Sequence, residues 1–303
     1  MSKTTNPVGF RLGINKYWNN RFFMFDYSTG VNRQLYIQRI LLGRFKAFNI
    51  NLVNFEVFSQ SSGLLIDAKI FITPKDIREF VSAQLYRNFL KDFSKQYKFR
   101  PKSFLRRKAY KSARVLSSLI YRFYFVILLA ATVELEFFLT QKLQTPVSIR
   151  LFNLYYLTKI PYVQRFLKVL DFKLKHFNRY NKDFGIFLKT MTVGFLTLSP
   201  LLIGQAFVKR FETVRKHSGV VQMFLNVLRI FISLRISNLV GLKLKISGKF
   251  NGRLRAINKV FVVGHTVPAQ GLVSWIEYAF LEAFSYTGVF GIKLWGICGR
   301  KPI

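Results

Sequence analysis

Two long stretches of the chain, 93–133 and 213–276, contain no acidic residue. A fold built from such segments cannot neutralise its cations internally. Over 303 residues, 48 Lys+Arg stand against 13 Asp+Glu, a formal charge of +35. Charge of one sign at that density opposes compaction unless a polyanion supplies the other. RNA, DNA and an anionic membrane surface meet the need, because Lys and Arg contacts to phosphate give affinity regardless of sequence. Half of the residues are hydrophobic and 17% are aromatic, which excludes a disordered basic tail. The chain is long enough for two domains, or for one with large insertions.

Two apolar segments raise the membrane alternative. Phe123 to Val133 is eleven residues long and ends at Glu134 and Glu136, too short to span a bilayer. Thr190 to Val208 is uncharged for nineteen residues, but Ser199-Pro200 at its centre predicts a buried helix–turn–helix instead. Basic residues are spread along the whole chain, unlike the loop-by-loop bias of a polytopic membrane protein. The first residues, MSKTTNPVGFRLG, show no apolar stretch behind the charges, so no secretory signal is expected.

Hydrophobic periodicity predicts a mixed α+β chain. Helical spacing runs over Val31 to Phe48, Asp76 to Tyr97, Ile160 to Tyr180, Gly204 to Leu239 (interrupted near His217-Ser218-Gly219) and Gly271 to Ser285. Strands are predicted for Ile50 to Ser59 and Leu64 to Thr73 across a short turn, for Val147 to Leu154 after Pro146, and for Gly288 to Cys298. Leu242 to Ser247 alternates apolar residues with Lys243 and Lys245, so a strand there buries one set and presents the other.

The segment KFRPKSFLRRKAYKSAR (98–114) holds eight basic residues, Arg106, Arg107 and Lys108 among them, interleaved with Phe99, Phe104 and Tyr110. Cations to meet phosphates and rings to stack on exposed bases make this mixture suited to RNA. GKFNGR (248–253) is a glycine-rich basic loop without phosphate-loop spacing, able to bring Lys249, Arg253 and Arg255 to a nucleic-acid backbone. Catalytic constellations are absent. His176, His217 and His265 are about forty and fifty residues apart, and no metal-binding histidine spacing occurs. Glu134 and Glu136 diverge on a helix. Cys298, the one cysteine, reads as a small apolar filler. The acids form no cluster that a nuclease would need for metal. No enzymatic activity, cofactor, metal or small-molecule substrate is expected.

Three blocks carry a family resemblance: NPVGFRLGINKYWNNRFF (6–23), GLKLKISGKFNGRLRA (241–256) and GHTVPAQGLVSWIEYAFLEAFSYTGVFGIKLWG (264–296). In order and polarity they resemble small-subunit ribosomal protein number three. The resemblance implies a degenerate KH-type RNA-binding domain of prokaryotic topology followed by a second α/β domain, with large helical basic insertions. Residues 1–30 are then an N-terminal arm. Residues 31–156 form the KH-like domain with a basic insertion over about 76–130, 157–198 a lineage-specific helical insertion, and 199–303 the C-terminal domain. The GxxG loop with which such a domain grips RNA backbone is missing: Pro74-Lys75-Asp76-Ile77 follows the second strand instead. Gly288-Val289-Phe290-Gly291 has the pattern but apolar middle residues, and reads as a structural turn.

The implied role is a structural constituent of the small-subunit head, binding rRNA, mRNA at the entry channel and neighbouring ribosomal proteins, with no membrane span. The rRNA-facing set is Arg11, Lys16, Trp18, Arg21, Arg106, Arg107, Lys108, Lys243, Lys245, Lys249, Arg253, Arg255, His265 and Lys293. For the mRNA channel the candidates are Arg210, Arg215, Lys216 and Arg229, with Lys209 beside them, because a gapless match puts apolar Phe224, Leu225 and Leu228 at the family's basic positions. A basic membrane protein, or a nucleic-acid-binding protein outside the ribosome, is the alternative. Phe outnumbers Gly by 34 to 18, the bias of an AT-rich genome. With an N-terminal motif close to Met1 and large insertions, this places the expected location in the mitochondrial matrix, within the mitochondrial ribosome. A plastid or a bacterial cytoplasm is the alternative.

Overall fold

The structure, a computed structural model, describes residues 6–14, 20–21, 27–47, 50–60, 63–72, 125, 128–174, 184–214, 217–252, 254–268 and 271–299. They fall into two compact units, Asn19–Leu154 and Met1–Trp18 with Tyr155–Ile303. The predicted helix Asp76 to Tyr97, the basic segment 98–114 and the Pro74–Ile77 loop lie outside the described residues.

In the unit Asn19–Leu154, helix α1 (Tyr27–Ala47) leads into strands β2 (Asn51–Gln60) and β3 (Gly63–Phe71), followed by helix α2 (128–143) and strand β4 (Val147–Asn153). With the short β1 (Asn20–Arg21) the strands form one sheet in the order β1-β2-β3-β4. β2 and β3 are antiparallel, and β4 returns parallel to β3. Apolar residues recur at Ile37, Leu41 and Phe45 along α1, and their helical stripe is buried against Leu52, Val57, Ile66, Ala68 and Ile70 of the sheet. Leu128 and Leu139 of α2 join the same core. Glu136, one of the paired carboxylates, accepts a hydrogen bond from the Ile149 amide at 2.6 Å, which ties α2 to β4. Lys69 and Glu56 form an ion pair across β2 and β3 at 3.4 Å.

In the second unit, helices α3 (Pro161–Lys173), α4 (Phe184–Leu196), α5 (Pro200–Glu212) and α6 (His217–Ser233) precede strands β5 (Leu239–Gly248), β6 (Ile257–Gly264), β7 (Trp275–Ser285) and β8 (Gly288–Cys298). The strands make an antiparallel sheet in the order β6-β5-β8-β7. One core joins all four helices to one sheet face, running from Leu167 and Phe187 through Phe207 and Phe224 to Leu244 and Leu294. Phenylalanines fill it in pairs: the rings of Phe207 and Phe224 are 4.4 Å apart, and those of Phe195 and Phe231 4.6 Å.

The break at Ser199-Pro200 is as the sequence predicts. Leu198 takes a left-handed φ of 52°, and the Ser199 amide closes the end of α4 on the Gly194 carbonyl at 2.9 Å. Ser199 then caps α5 by accepting from the Leu202 amide at 3.4 Å, with Pro200 in the first turn. Gly204 lets α5 lie close on the sheet, since a Cβ there would collide with Leu281 of β7. Among the described residues no helix is long and apolar enough to cross a membrane.

One expected element is different. Gly271 to Ser285 reads as a helix, but Trp275–Ser285 is a strand paired with β8 along its whole length. Ala279, Leu281 and Ala283 alternate into the core while Phe280, Glu282 and Phe284 face out. Pairing with β8 along its whole length outweighs the helical propensity of its Glu, Leu and Ala residues. Gly288-Val289-Phe290-Gly291 accordingly follows a strand, as the turn and first residues of β8.

Candidate nucleic-acid interface

The face of the second sheet that points away from the helices is set by β5. Leu242, Leu244 and Ile246 are buried, so Lys243, Lys245 and Ser247 point the other way. Register extends these positions into rows across the sheet. One row is Val260, Lys245, Lys293 and Phe280; the next is Val262, Lys243, Trp295 and Tyr278. Among the described residues none of the three lysines is in an ion pair. Lys243 Nζ lies 5.5 Å from the Trp295 ring centre and Lys293 Nζ 5.9 Å from that of Phe280. Such contacts stabilise an ammonium without neutralising it. Trp295 is itself buried beneath this cover, with Tyr278 tilted against it at 5.5 Å; burial raises the Tyr278 phenol above its ordinary pKa.

The loop after β5 carries Lys249 and Arg255, both exposed, with Leu254 at its tip. Its base is built rigidly. Phe250 is buried, and Gly248 is required because a Cβ would collide with the Phe290 ring. Gly248 therefore serves packing beneath the loop. Asn251, at a left-handed φ of 51°, accepts from the His217 amide at 3.0 Å, and its own amide donates to His217 Nδ1 at 3.4 Å. The imidazole is stacked on Phe211 at 4.5 Å and lies against Phe290 at 4.9 Å. Desolvation lowers its pKa, so the neutral ring with an unprotonated Nδ1 is the form that fits.

The predicted residues separate into groups. Lys243, Lys245 and Lys293 share one sheet face, and Lys249 and Arg255 lie off its end. His265 is exposed at the opposite end of the β5–β6 hairpin, its amide on the Val240 carbonyl at 3.3 Å. Arg11 is turned inward and 1% exposed. Its guanidinium donates to the carbonyls of Pro7 at 3.0 Å, Ser274 at 3.0 Å, Pro268 at 3.1 Å and Gly271. Those contacts lock residues 6–14 to the segment entering β7, so Arg11 acts as an internal clasp. Arg210 (half-buried) and Lys209 lie on α5 and Arg229 on α6, on the helical side of the sheet. Arg229 donates to Asn226 at 3.3 Å. Phe224, Leu225 and Leu228 of α6 are core residues, which explains why those positions are apolar. Arg21 is described only as backbone in β1. Lys16, Trp18, Arg106, Arg107, Lys108, Arg215, Lys216 and Arg253 lie outside the described residues, as does His176.

Phe280 and Phe284 were not among the sequence candidates. Their signal is the period-two series Tyr278, Phe280, Phe284, Tyr286, hidden by the helical reading of that segment. Cys298 is buried and free. Among the described residues no group of His, Cys, Asp and Glu could hold a metal ion.

No family model matches the chain. Curated relatives do, over a short segment. The small ribosomal subunit protein uS3 of Dictyoglomus turgidum is 40% identical over 62 residues, 20% of this chain and 25% of that protein. That of Porphyromonas gingivalis is 41% identical over 58 residues, 19% of this chain and 23% of the relative. That of Rhodospirillum centenum is 35% identical over 57 residues, 18% and 25%. The chain thus spans about a quarter of the length of the curated relatives it matches, and the resemblance to small-subunit ribosomal protein three stands on that segment.

Proposed function

We propose that the chain is a structural, non-catalytic constituent of a small ribosomal subunit, and that its lysine-bearing sheet face takes up rRNA phosphate. The observation that carries this reading is the register of Lys245 and Lys293. Lysines directly opposite on neighbouring strands repel each other, and Lys243 lies two residues away on β5. Such a triad favours an anion above it, and in a chain of +35 a partner is the natural source. The similarity to proteins named uS3 supports rRNA and ribosomal proteins as the partners.

The finer parts of the reading extend it. A KH-type ancestry for the unit Asn19–Leu154 is supported by its order of helix, two strands, helix and strand. The head of the small subunit, the mRNA entry channel flanked by Arg210, Arg215, Lys216 and Arg229, and a mitochondrial location extend the reading on the strength of the resemblance and the composition. Lys243→Gln, Lys245→Gln and Lys293→Gln together should leave folding intact, because each lysine is only half-buried and the change relieves like charge across β5 and β8. Incorporation into the small subunit, read by sedimentation of the tagged protein, should fall sharply. Normal incorporation of a folded triple variant would refute the assignment of this face.

A further inference from the structure

We infer that the outer face of the second sheet is a stacking platform for unpaired RNA bases, with Phe280 and Phe284 of β7 as the stacking rings and Lys245 and Lys293 as the phosphate contacts. The inference rests on the RNA-binding reading above and narrows it from RNA in general to single-stranded RNA.

β7 is an edge strand, and along its outward side run Tyr278, Phe280, Glu282 and Phe284. Phe280 is 49% exposed and Phe284 61%, large values for rings on a sheet surface. The Phe280 ring leans toward Gly291, within 3.7 Å of where a Cβ would stand there. Gly291 and Ser247, opposite each other in the sheet, leave a low floor beside that ring, where a flat base has room. Lys293 Nζ lies over one face of the Phe280 ring, 5.9 Å from its centre, and Lys245 is the next residue across the sheet. One row therefore offers a ring and, beside it, two ammonium groups.

The spacing along β7 suits an extended strand of RNA. Phe280 and Phe284, four residues apart, are about 14 Å apart along the strand, roughly four times the 3.4 Å rise of a stacked nucleotide. Bases unstacked from one another can thus each meet a separate position of the ladder. A duplex offers no free base faces, so it can use only the lysines. Glu282, the carboxylate on this face, faces Gly291 between the two phenylalanines and would keep phosphates on the lysine side.

The test uses the full-length protein with two probes, a uridine 12-mer and an RNA duplex of 12 base pairs, at one salt concentration. Phe280→Leu with Phe284→Leu preserves apolar volume. It should weaken the 12-mer about tenfold, the loss expected of one stacked base, and leave the duplex unchanged. Lys245→Gln with Lys293→Gln should weaken both probes. If the phenylalanine variant binds the 12-mer like wild type, or weakens both probes equally, the platform is refuted while the RNA reading stands. If the lysine variant binds both probes like wild type, the RNA reading of this face falls as well.

Discussion

Arg11 and His217 are both basic residues whose surroundings give them structural work. Arg11 spends its donors on carbonyls from Pro7, Pro268, Gly271 and Ser274. Replacing it by Met would take the guanidinium donors from those carbonyls, at a cost of about 3 kcal/mol. Arg11→Lys should recover only part of this, because a single ammonium cannot reproduce the guanidinium fork. Urea unfolding of the two variants measures it; a loss below about 1 kcal/mol for Arg11→Met would contradict the clasp. His217 gives a pH dependence. Burial depresses its folded-state pKa below the ordinary 6.5, so below that pH the unfolded chain binds a proton that the folded chain refuses. Stability should therefore fall as pH drops from about 6.5 toward the folded value. Protonation of Nδ1 would also break the bond from the Asn251 amide. His217→Asn keeps an acceptor but cannot titrate, so its unfolding midpoint should lose this slope. A slope equal to that of wild type would assign the effect to other groups.

At the scale of elements, the turn between α4 and α5 and the end of β5 show how local chemistry and packing divide the work. Ser199→Ala removes the cap of α5 and should cost about 1 kcal/mol, while α4 keeps its closure on Gly194. Gly248→Ala should cost about 2 kcal/mol, because the new methyl meets the Phe290 ring in a filled core. Thermal unfolding separates the two, and a neutral Gly248→Ala would mean that Phe290 can move aside. β5 and the Ser199-Pro200 break were legible in the sequence because alternation and capping are local signals. β7 was not. Its Leu281, Glu282 and Ala283 suit a helix, and although β8 itself reads as a strand, the pairing with it that makes β7 a strand shows in no local pattern.

For the whole molecule, charge dominates. RNA binding through about eight phosphate contacts should weaken by roughly a thousandfold or more between about 50 and about 200 mM salt. A flat salt response in filter binding would remove the electrostatic basis of the proposed function. The sequence by itself determined the need for a polyanionic partner, since 48 cations against 13 anions is a sum that no fold alters. It also determined the alternation that turns Lys243 and Lys245 to one side of β5, because side-chain direction on a strand follows from the chain itself. Tertiary structure alone decided that Arg11 points inward, that Lys293 comes to face Lys245, and that Phe280 joins their row. Each of those depends on a neighbour brought in from elsewhere in the chain: 263 residues separate Arg11 from Ser274, and two strand pairings join β5 to β7. Burial and register arise only when such distant segments meet, so local residue patterns record the capacity for these contacts and packing selects which are made.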